Sequence, residues 1–427
     1  MDAGARTRRC CRTREREGLQ GGGGSRQICL NMTRETYDRI WENPTEVRAL
    51  ILEQFRQSPQ LFPAGMEAGF RLTGRLPESA KLSGIRLRQL RVKSGDGCEA
   101  VYTLRPCFVM PYMAGFADEL QYPLELLAHG TPAWLVAKGF GHDAHFWDRH
   151  VERLGRNSLV GTTVRDPARL PEHLVADEHL ADWCGEKAYL PVTAGEGCIL
   201  GIAVTEAADD AHLADAYGAF QAEAAQVDPN DAPKSVNTDG WKATQNAWQA
   251  MFPTVTVILC YLHGFLKIRD RCRKAFALHK RIWDVFRAPT ADEFTQRMQT
   301  FRQETEAETW PTAVREVLAK LCNRTAEYAR AYTQPGCRRT SNMVDRLMNR
   351  LYRVLYAHRG LHGHQRSSEL RQRGWALMLN FIPFAPRANR PRLYDSPAHR
   401  LNQQRYHDDW LQNLLLSASL GGFHPRT

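Results

Sequence analysis

Apolar residues recur at helical spacing in several separate segments of the chain. The same three- and four-residue spacing predicts helices over Val47–Phe55, Asp210–Gln226 and Trp241–Phe252. Arg338–Tyr356 carries the clearest pattern, because its apolar residues fall on one side of a helix. They are Val344, Leu347, Met348, Leu351 and Leu355. These segments predict amphipathic helices that bury one face.

Short apolar runs predict strands between those helices. Leu174–Asp177 is the first, and Ala188–Thr193 and Cys198–Val204 follow as a pair joined by residues 194–197. Val255–Cys260 is continuously apolar and rich in β-branched residues, which is typical of a strand buried on both faces. With a further strand ending before Asp239, the order β-β-β-α-β-α-β-α predicts a mixed central sheet flanked by helices.

The segment before this sheet predicts mainly helices. Tyr122–His129 and Ala133–Lys138 form one candidate pair, and Ala144–Leu154 follows a glycine-containing break. Such an arrangement is compatible with a helix-turn-helix that enters a DNA groove. Two packed helices of an ordinary α-rich domain fit the pattern equally well. After the sheet, Thr290–Arg330 is charged, helical in pattern and split at Trp310-Pro311.

These patterns divide the chain into six parts. Residues 1–31 are poor in apolar residues and contain four consecutive glycines, which predicts a disordered extension; translation from an upstream start codon would leave it without function. The other parts, in chain order, are an N-terminal region (32–165), the first part of the core (166–280), a helical insertion (281–335), the last core helices (336–385) and a C-terminal tail (386–427).

Charge favours a polyanionic partner. Lys and Arg number 57 against 47 Asp and Glu, a formal net charge of +10. The 11 cysteines form no C-x-x-C pair, so nothing in their spacing resembles a common zinc site. Without an apolar secretory leader or an apolar run long enough to cross a bilayer, we expect a cytoplasmic protein with reduced thiols and no membrane partner.

Three aspartates stand at the ends of predicted elements: Asp177, Asp239 and Asp345. Carboxylates that converge from separate elements can hold the paired divalent ions of phosphoryl-transfer enzymes. Each also has a structural explanation. Asp239 could cap a helix, Asp345 could form a capping pair with Asn342, and Asp177 could lie in a surface turn. Spacing alone leaves both interpretations open.

Cys260 and His263 follow the buried strand and could begin a zinc site, but no second pair follows at the usual spacing. A packed cysteine beside a hydrogen-bonded histidine is therefore favoured. Lys267–Lys280 predicts a basic helix immediately afterwards. Its charges could form a solvated face or line the path of a nucleic-acid backbone.

Longer strings around these residues resemble a known family. VADEH, VNTDGWKATQNAW, ILCYLHGFLKIRDR and RTSNMVDRLMNR are similar to segments of bacterial insertion-sequence transposases of the DDE/DDD type, relatives of the Mutator-like group. The similarity extends from Met32 through nearly the whole chain. It implies an RNase H-like fold: a mixed five-stranded sheet flanked by helices, with an α-helical insertion and a mostly helical N-terminal DNA-binding region.

The resemblance also implies roles for particular residues. Asp177, Asp239 and Asp345 would bind two Mg²⁺ or Mn²⁺ ions, and Cys260 and His263 match a C-x-x-H motif that follows the second acid. Glu369 is a second candidate for the third acid, and Glu178 and Asp182 are alternatives for the first. The residues we expect to contact DNA are Lys242, Lys267, Arg269, Arg271, Arg273, Arg346 and Arg350.

The implied function is DNA transposition by metal-dependent strand cleavage and strand transfer. The partners would be double-stranded DNA, namely the terminal repeats of the element and its target, in a homo-oligomer assembled on DNA in the bacterial nucleoid. Two alternatives stay open at this point. One is a catalytically inactive DNA-binding protein derived from a transposase, and the other is an RNase H-like DNA nuclease.

Overall fold

Two β-sheets and the helices around them build the protein, whose computed structural model describes residues 25–93, 99–386 and 393–423. Both sheets are mixed, since each combines parallel with antiparallel strand pairs. The chain is therefore α/β, as the sequence predicts. The strands, in chain order, are β1 (Gln27–Leu30), β2 (Phe70–Arg75), β3 (Arg88–Lys93), β4 (Glu99–Pro106), β5 (His173–Trp183), β6 (Glu186–Gly195), β7 (Cys198–Ile202), β8 (Ser235–Thr238) and β9 (Thr256–Leu259).

The first sheet begins inside the segment for which the sequence predicts disorder. β1 pairs in parallel with β4, and Ile28 and Leu30 are fully buried, so the prediction for residues 1–31 is wrong over Gln27–Leu30. Residues 1–24 lie outside the described part. Glycine and arginine dominate the composition of the segment and conceal its four-residue strand. Pairing with β4 and burial of two apolar side chains stabilise that strand.

The N-terminal region has more helix than strand, as predicted, but it also contains this sheet, which the sequence analysis missed. Its sheet has the strand order β1-β4-β3-β2. In β3, Leu90 and Val92 are buried while Arg91 and Lys93 are exposed, the two-residue alternation of a strand with one covered face. The many arginines obscure that alternation in the sequence. The helices, in chain order, are α1 (Arg34–Ile40), α2 (Pro44–Gln57), α3 (Ala117–Ala128), α4 (Ala133–Phe140), α5 (Ala144–Leu154) and α6 (Leu159–Thr163).

The second sheet contains every strand predicted for the core. Its order is β7-β6-β5-β8-β9. β5, β6 and β7 are antiparallel neighbours, whereas β8 runs parallel to β5 and β9 runs parallel to β8. The carboxyl ends of β5, β8 and β9 therefore point toward the same edge of the sheet.

Helices cover both faces of this second sheet. Leu174 and Ala176 of β5 pack in one core cluster with α7 (Asp210–Val227) and α8 (Lys242–Met251), whereas Val175 packs in another with α14 (Asn342–Ala357) and α15 (Gln365–Phe381). Because side chains alternate along a strand, Asp177 faces the side of α14, and Glu178 faces the side of α7. The helices are α7 (Asp210–Val227), α8 (Lys242–Met251), α9 (Tyr261–Arg271), α10 (Phe276–Phe286), α11 (Ala291–Ala307), α12 (Thr312–Asn323), α13 (Thr325–Ala329), α14 (Asn342–Ala357), α15 (Gln365–Phe381), α16 (Pro397–Asn402) and α17 (Trp410–Ser417).

The prediction of one basic helix over Lys267–Lys280 is wrong, because two helices occupy this segment: α9 ends at Arg271 and α10 begins at Phe276. Ile268 and Leu278, one on each helix, pack in the same cluster. In one continuous helix, residues ten apart would face different directions, since each residue advances the helix by 100°. The turn between them brings both apolar faces into that cluster.

The helical insertion and the tail complete the fold. α11 ends before Trp310-Pro311 and α12 begins after it, as predicted. The tail is integral to the core, because Leu411, Leu414 and Leu415 of α17 are fully buried. None of the helices in the described ranges has the length and apolar character required to cross a membrane.

Candidate metal centre

Asp177, inside β5, and Asp239, directly after β8, lie at the same level of two neighbouring parallel strands. Val175 of β5 is the register partner of Asn237 of β8, and each aspartate lies two residues beyond its member of that pair. Neighbouring strands are about 4.8 Å apart, and residues two apart share a face. The two carboxylates therefore occupy equivalent positions at one edge of the sheet.

A tight turn fixes Asp239 at the end of β8. Its Oδ1 accepts a hydrogen bond from the backbone N–H of Trp241 at 2.8 Å. Gly240 between them has φ +97°, and a Cβ there would lie 2.5 Å from Leu259 Cδ1. Only glycine fits this position without strain. Asp239 is not the N-cap of α8, since Trp241 occupies that position, so its carboxylate lies in the turn above the sheet.

Asp345 reaches the same edge from α14. Val344, the residue before it, packs in the core cluster that contains Val175 of β5. The Ser341 hydroxyl donates a hydrogen bond to Asp345 Oδ2 at 3.2 Å. Ser341, rather than Asn342, is the N-cap of α14. The predicted Asn342–Asp345 capping pair is therefore replaced by a contact between Ser341 and Asp345.

Cys260 and His263 meet Ser341 beside this carboxylate. The backbone N–H of Ser341 donates to Cys260 Sγ at 3.1 Å, and its hydroxyl lies 3.3 Å from His263 Nδ1. The C-x-x-H motif thus connects the start of α9 to the start of α14. The sequence favours a packed cysteine beside a hydrogen-bonded histidine, and these contacts agree with it. Ser341 itself was missed, although a serine directly before an apolar helical stripe is a usual N-cap signal.

Hydrogen bonds shift the pKa values of Cys260 and His263 in opposite directions. Burial raises the pKa of the Cys260 thiol, but hydrogen bonds with His263 and Ser341 outweigh burial and leave the pKa below its usual value. The hydrogen bond with Cys260 raises the pKa of His263 to about 9, and the charges of Asp345 and Asp177 add to that effect. A protonated His263 therefore lies beside the carboxylates at neutral pH.

The carboxylates also act on one another. Burial, then the negative charges of Glu178, Asp239 and Asp345, raise the pKa of Asp177 to about 7. Burial raises the pKa of Asp345 as well, and the charge of Asp239 contributes. Three acids that are far apart in the sequence thus share one electrostatic environment. Asp177 is a half-buried strand residue there, which rules out a surface turn.

The alternative acids have other partners. Glu178 Oε1 accepts hydrogen bonds from Tyr217 of α7 and Thr244 of α8, both at 2.6 Å, on the opposite face of the sheet. Thr244 is the polar member of an otherwise apolar helical stripe, and that exception was the available signal for a buried acid opposite it. Asp182 accepts from Gly185 N–H within its own hairpin, and Glu369 accepts from Val204 N–H. Asp182 and Glu369 are not among the charges that raise the pKa of Asp177.

The three aspartates are suitable ligands for a hard divalent cation, although their side chains are not gathered into one ligand group. Across the described ranges, no three His, Cys, Asp or Glu side chains form a finished metal-binding group. Each aspartate accepts a hydrogen bond close to it in sequence, Asp177 from the N–H of Glu178 at 2.9 Å. Repulsion between the three carboxylates favours these local hydrogen bonds. A cation bound among the carboxylates would offset that repulsion. Oxygen ligands from a few carboxylates are what Mg²⁺ prefers.

The residues predicted to contact DNA differ in their exposure. Arg269 pairs with Asp270 at 3.2 Å, and Arg271 donates to the carbonyl of Lys267 at 2.9 Å, so part of the charge of α9 is engaged within the helix. Arg350 is half-buried. The other predicted contacts have exposed side chains: Lys242, Lys267, Arg273 and Arg346. Their role in DNA binding stays a prediction.

Comparison with known proteins adds no relative to this picture. No protein-family model matches the chain, and no curated protein is similar to it at a significant level. The fold and the contacts at this sheet edge are therefore the basis for any functional assignment.

Proposed function

We propose that the protein is a DNA transposase that cleaves and rejoins DNA at a divalent-metal centre formed by Asp177, Asp239 and Asp345. One observation carries this proposal. Asp177 and Asp239 follow the same register pair of two parallel strands, and α14 brings Asp345 to that edge from a segment more than one hundred residues later. Stability of the fold does not require three buried or half-buried acids in one place.

We also propose that the second sheet is RNase H-like. Support comes from the element order, with three antiparallel strands, then a helix, a strand, a helix and a last strand. Further support comes from the acids, which lie on the first strand, after the fourth strand and on a late helix. Helices also occupy residues 281–335, for which the resemblance implies an insertion: the end of α10, then α11, α12 and α13.

The residues at this edge divide the chemical work between them. The three aspartates would hold the ions, and bound Mg²⁺ or Mn²⁺ supplies positive charge at the scissile phosphate and activates a water or a 3′-hydroxyl for attack. Ser341 orients Asp345 through its hydroxyl. Cys260 and His263 fix Ser341 in turn. The basic residues around the edge would neutralise the DNA backbone, which makes affinity strongly dependent on salt.

DNA binding at two ends of an element completes the proposal. The N-terminal region would recognise the terminal repeats, and two ends cut together require an oligomer on DNA. The net charge of +10 supports a polyanionic partner. A decayed, catalytically inactive copy would retain the same DNA-binding surface.

Nicking of supercoiled plasmid DNA tests the proposal. We expect the protein to relax the plasmid in Mg²⁺ or Mn²⁺ but not in EDTA. Binding without nicking in either metal would overturn the catalytic assignment in favour of a DNA-binding protein. Nicking without strand transfer of DNA that carries the ends of the element would favour a nuclease.

A further inference from the structure

Exposed tyrosines continue the line of Asp345 along α14. Asp345, Asn349, Tyr352 and Tyr356 are separated by four, three and four residues, which places them on one face of the helix. Tyr352 is 50% exposed and Tyr356 is 77% exposed. The opposite side of α14 is apolar and buried against the core. This face therefore connects the carboxylate edge with two rings open to solvent.

The central strand contributes a third ring to the same side. β5 continues past Asp177, and His179 shares the face of Asp177 because the two are two residues apart. The His179 ring meets Tyr352 edge to face with centroids 5.4 Å apart, and Tyr352 and Tyr356 have centroids 6.4 Å apart. We call His179, Tyr352 and Tyr356 the aromatic track.

Positive charge borders this track. Arg346, Arg350 and Arg353 lie on the same helix, and in the described ranges none of them forms an ion pair. Burial lowers the pKa of Arg350, and the charge of Arg353 contributes. A protein partner would have to supply acids here, whereas a nucleic-acid strand brings a phosphate for every base.

We propose that the aromatic track stacks unpaired nucleotides of the DNA strand whose phosphate enters the carboxylate edge. Aromatic rings bordered by cationic side chains are the usual platform for single-stranded nucleic acid, since every base presents a face to stack upon. Paired bases within a duplex do not offer those faces to Tyr352 and Tyr356.

The dimensions of α14 suit a short unpaired segment. With a rise of about 1.5 Å per residue, Tyr352 and Tyr356 lie roughly 10 and 16 Å along the helix from Asp345. At about 3.4 Å per nucleotide, the spacing of bases that stay stacked as in one strand of a duplex, these distances correspond to roughly three and five nucleotides. The inference rests on the proposed function, and it adds that the substrate is opened beside the cleavage point.

Fluorescence anisotropy with a labelled single strand of fifteen thymidines and with its duplex tests this inference. We expect Tyr352→Ala and Tyr356→Ala each to weaken single-strand binding by about tenfold while duplex binding changes less than twofold. Tyr352→Phe and Tyr356→Phe keep the ring and should bind like the unmodified protein. Leu393→Ala is the control, since Leu393 is an exposed apolar residue of the C-terminal tail, away from α14.

Three results would overturn the inference. They are single-strand binding unchanged in both alanine variants, an equal loss on single strand and duplex, and a change in oligomeric state with DNA binding intact. The last would identify a protein-docking face. Failure of the proposed function is a separate result, because Mg²⁺-dependent plasmid nicking by the unmodified protein measures it.

Discussion

The hydroxyl of Ser341 donates a hydrogen bond to Oδ2 of Asp345 across 3.2 Å, from the N-cap of α14 to its first turn. The same hydroxyl lies 3.2 Å from Cys260 Sγ, at the start of α9. One buried serine thus connects Cys260, the residue after β9, with the helix that carries Asp345. The long helical insertion lies between those two elements in sequence, so this contact closes the edge of the sheet.

Ser341→Ala should strongly reduce the cleavage rate while it lowers the stability of the fold only moderately. The variant leaves Asp345 without its orienting hydroxyl, and loss of such a partner typically costs 10- to 100-fold in metal affinity or activity. We expect a loss of about 1–2 kcal/mol in the free energy of unfolding, measured in urea. The cleavage rate in Mn²⁺ is the second measurement.

Ser368→Ala is the control for Ser341→Ala. Ser368 is also buried and donates a hydrogen bond at 2.7 Å, to the carbonyl of His362, but it has no contact with the acids. The control should lose a similar amount of stability and keep its cleavage rate. Equal cleavage losses in the two variants would contradict the orienting role of Ser341.

Asp177→Asn should stabilise the metal-free protein at alkaline pH. Because the pKa of Asp177 is raised to about 7 in the folded protein, its charged form destabilises folding. Stability is therefore lost as pH rises from about 4, the usual value for aspartate, through 7. A pKa of about 7 corresponds to at most roughly 4 kcal/mol, which the asparagine variant should recover at pH 8 and not at pH 4.

Urea unfolding in EDTA at several pH values measures this effect. Asp182→Asn is the control, since Asp182 is exposed on the same strand. It should follow the pH dependence of the unmodified protein. If Asp177→Asn follows that dependence as well, Asp177 does not lie among the other acids in solution.

A buried ion pair outside the metal centre should dominate the stability of the core. Arg373 of α15 pairs with Glu223 of α7, and the side chain of Arg373 is only 4% exposed. Glu223 Oε2 also accepts from the N–H of Val160 at 3.0 Å, at the start of α6. Removing one partner of a buried pair leaves an uncompensated charge, so Glu223→Ala should cost about 3–5 kcal/mol of unfolding free energy.

The matched control is Glu172→Ala. Glu172 pairs with Lys234 at 2.7 Å with both side chains more than half exposed, so solvent screens the pair and its loss should change stability far less. Chemical denaturation of both variants gives the comparison. Equal losses would contradict the dominant role of the Glu223–Arg373 pair.

Sequence patterns predicted the core elements because the helices carry one apolar face and the buried strands are short apolar runs. The stripe of α14 and the apolar runs of β6, β7 and β9 needed no tertiary information. The outcome of Asp239 did need it: its side chain could have capped a helix, and only the backbone at Gly240 and the position of β8 beside β5 direct it to the sheet edge. Local signals do not contain the pairing of distant strands.

The errors have the same origin. Gln27–Leu30 is too short for a periodic signal and is stabilised by its partner β4. Lys267–Lys280 has helical propensity throughout, but packing of Ile268 and Leu278 in one cluster requires a turn. The role of Ser341 depends on Cys260 and His263, which lie about eighty residues earlier in the chain. The role of such a residue can be recognised only when the fold shows which distant residues it contacts.

Binding of Mn²⁺ to metal-free protein, followed by the electron paramagnetic resonance signal of the free ion, tests the metal centre most directly. We expect the unmodified protein and Glu369→Gln to take up Mn²⁺ with equal affinity. Asp177→Asn, Asp239→Asn and Asp345→Asn should each weaken binding at least about tenfold, because each replaces a charged carboxylate ligand with a neutral amide. Unchanged binding in these three variants, or loss of binding in Glu369→Gln, would contradict the assignment of Asp177, Asp239 and Asp345 to one metal centre.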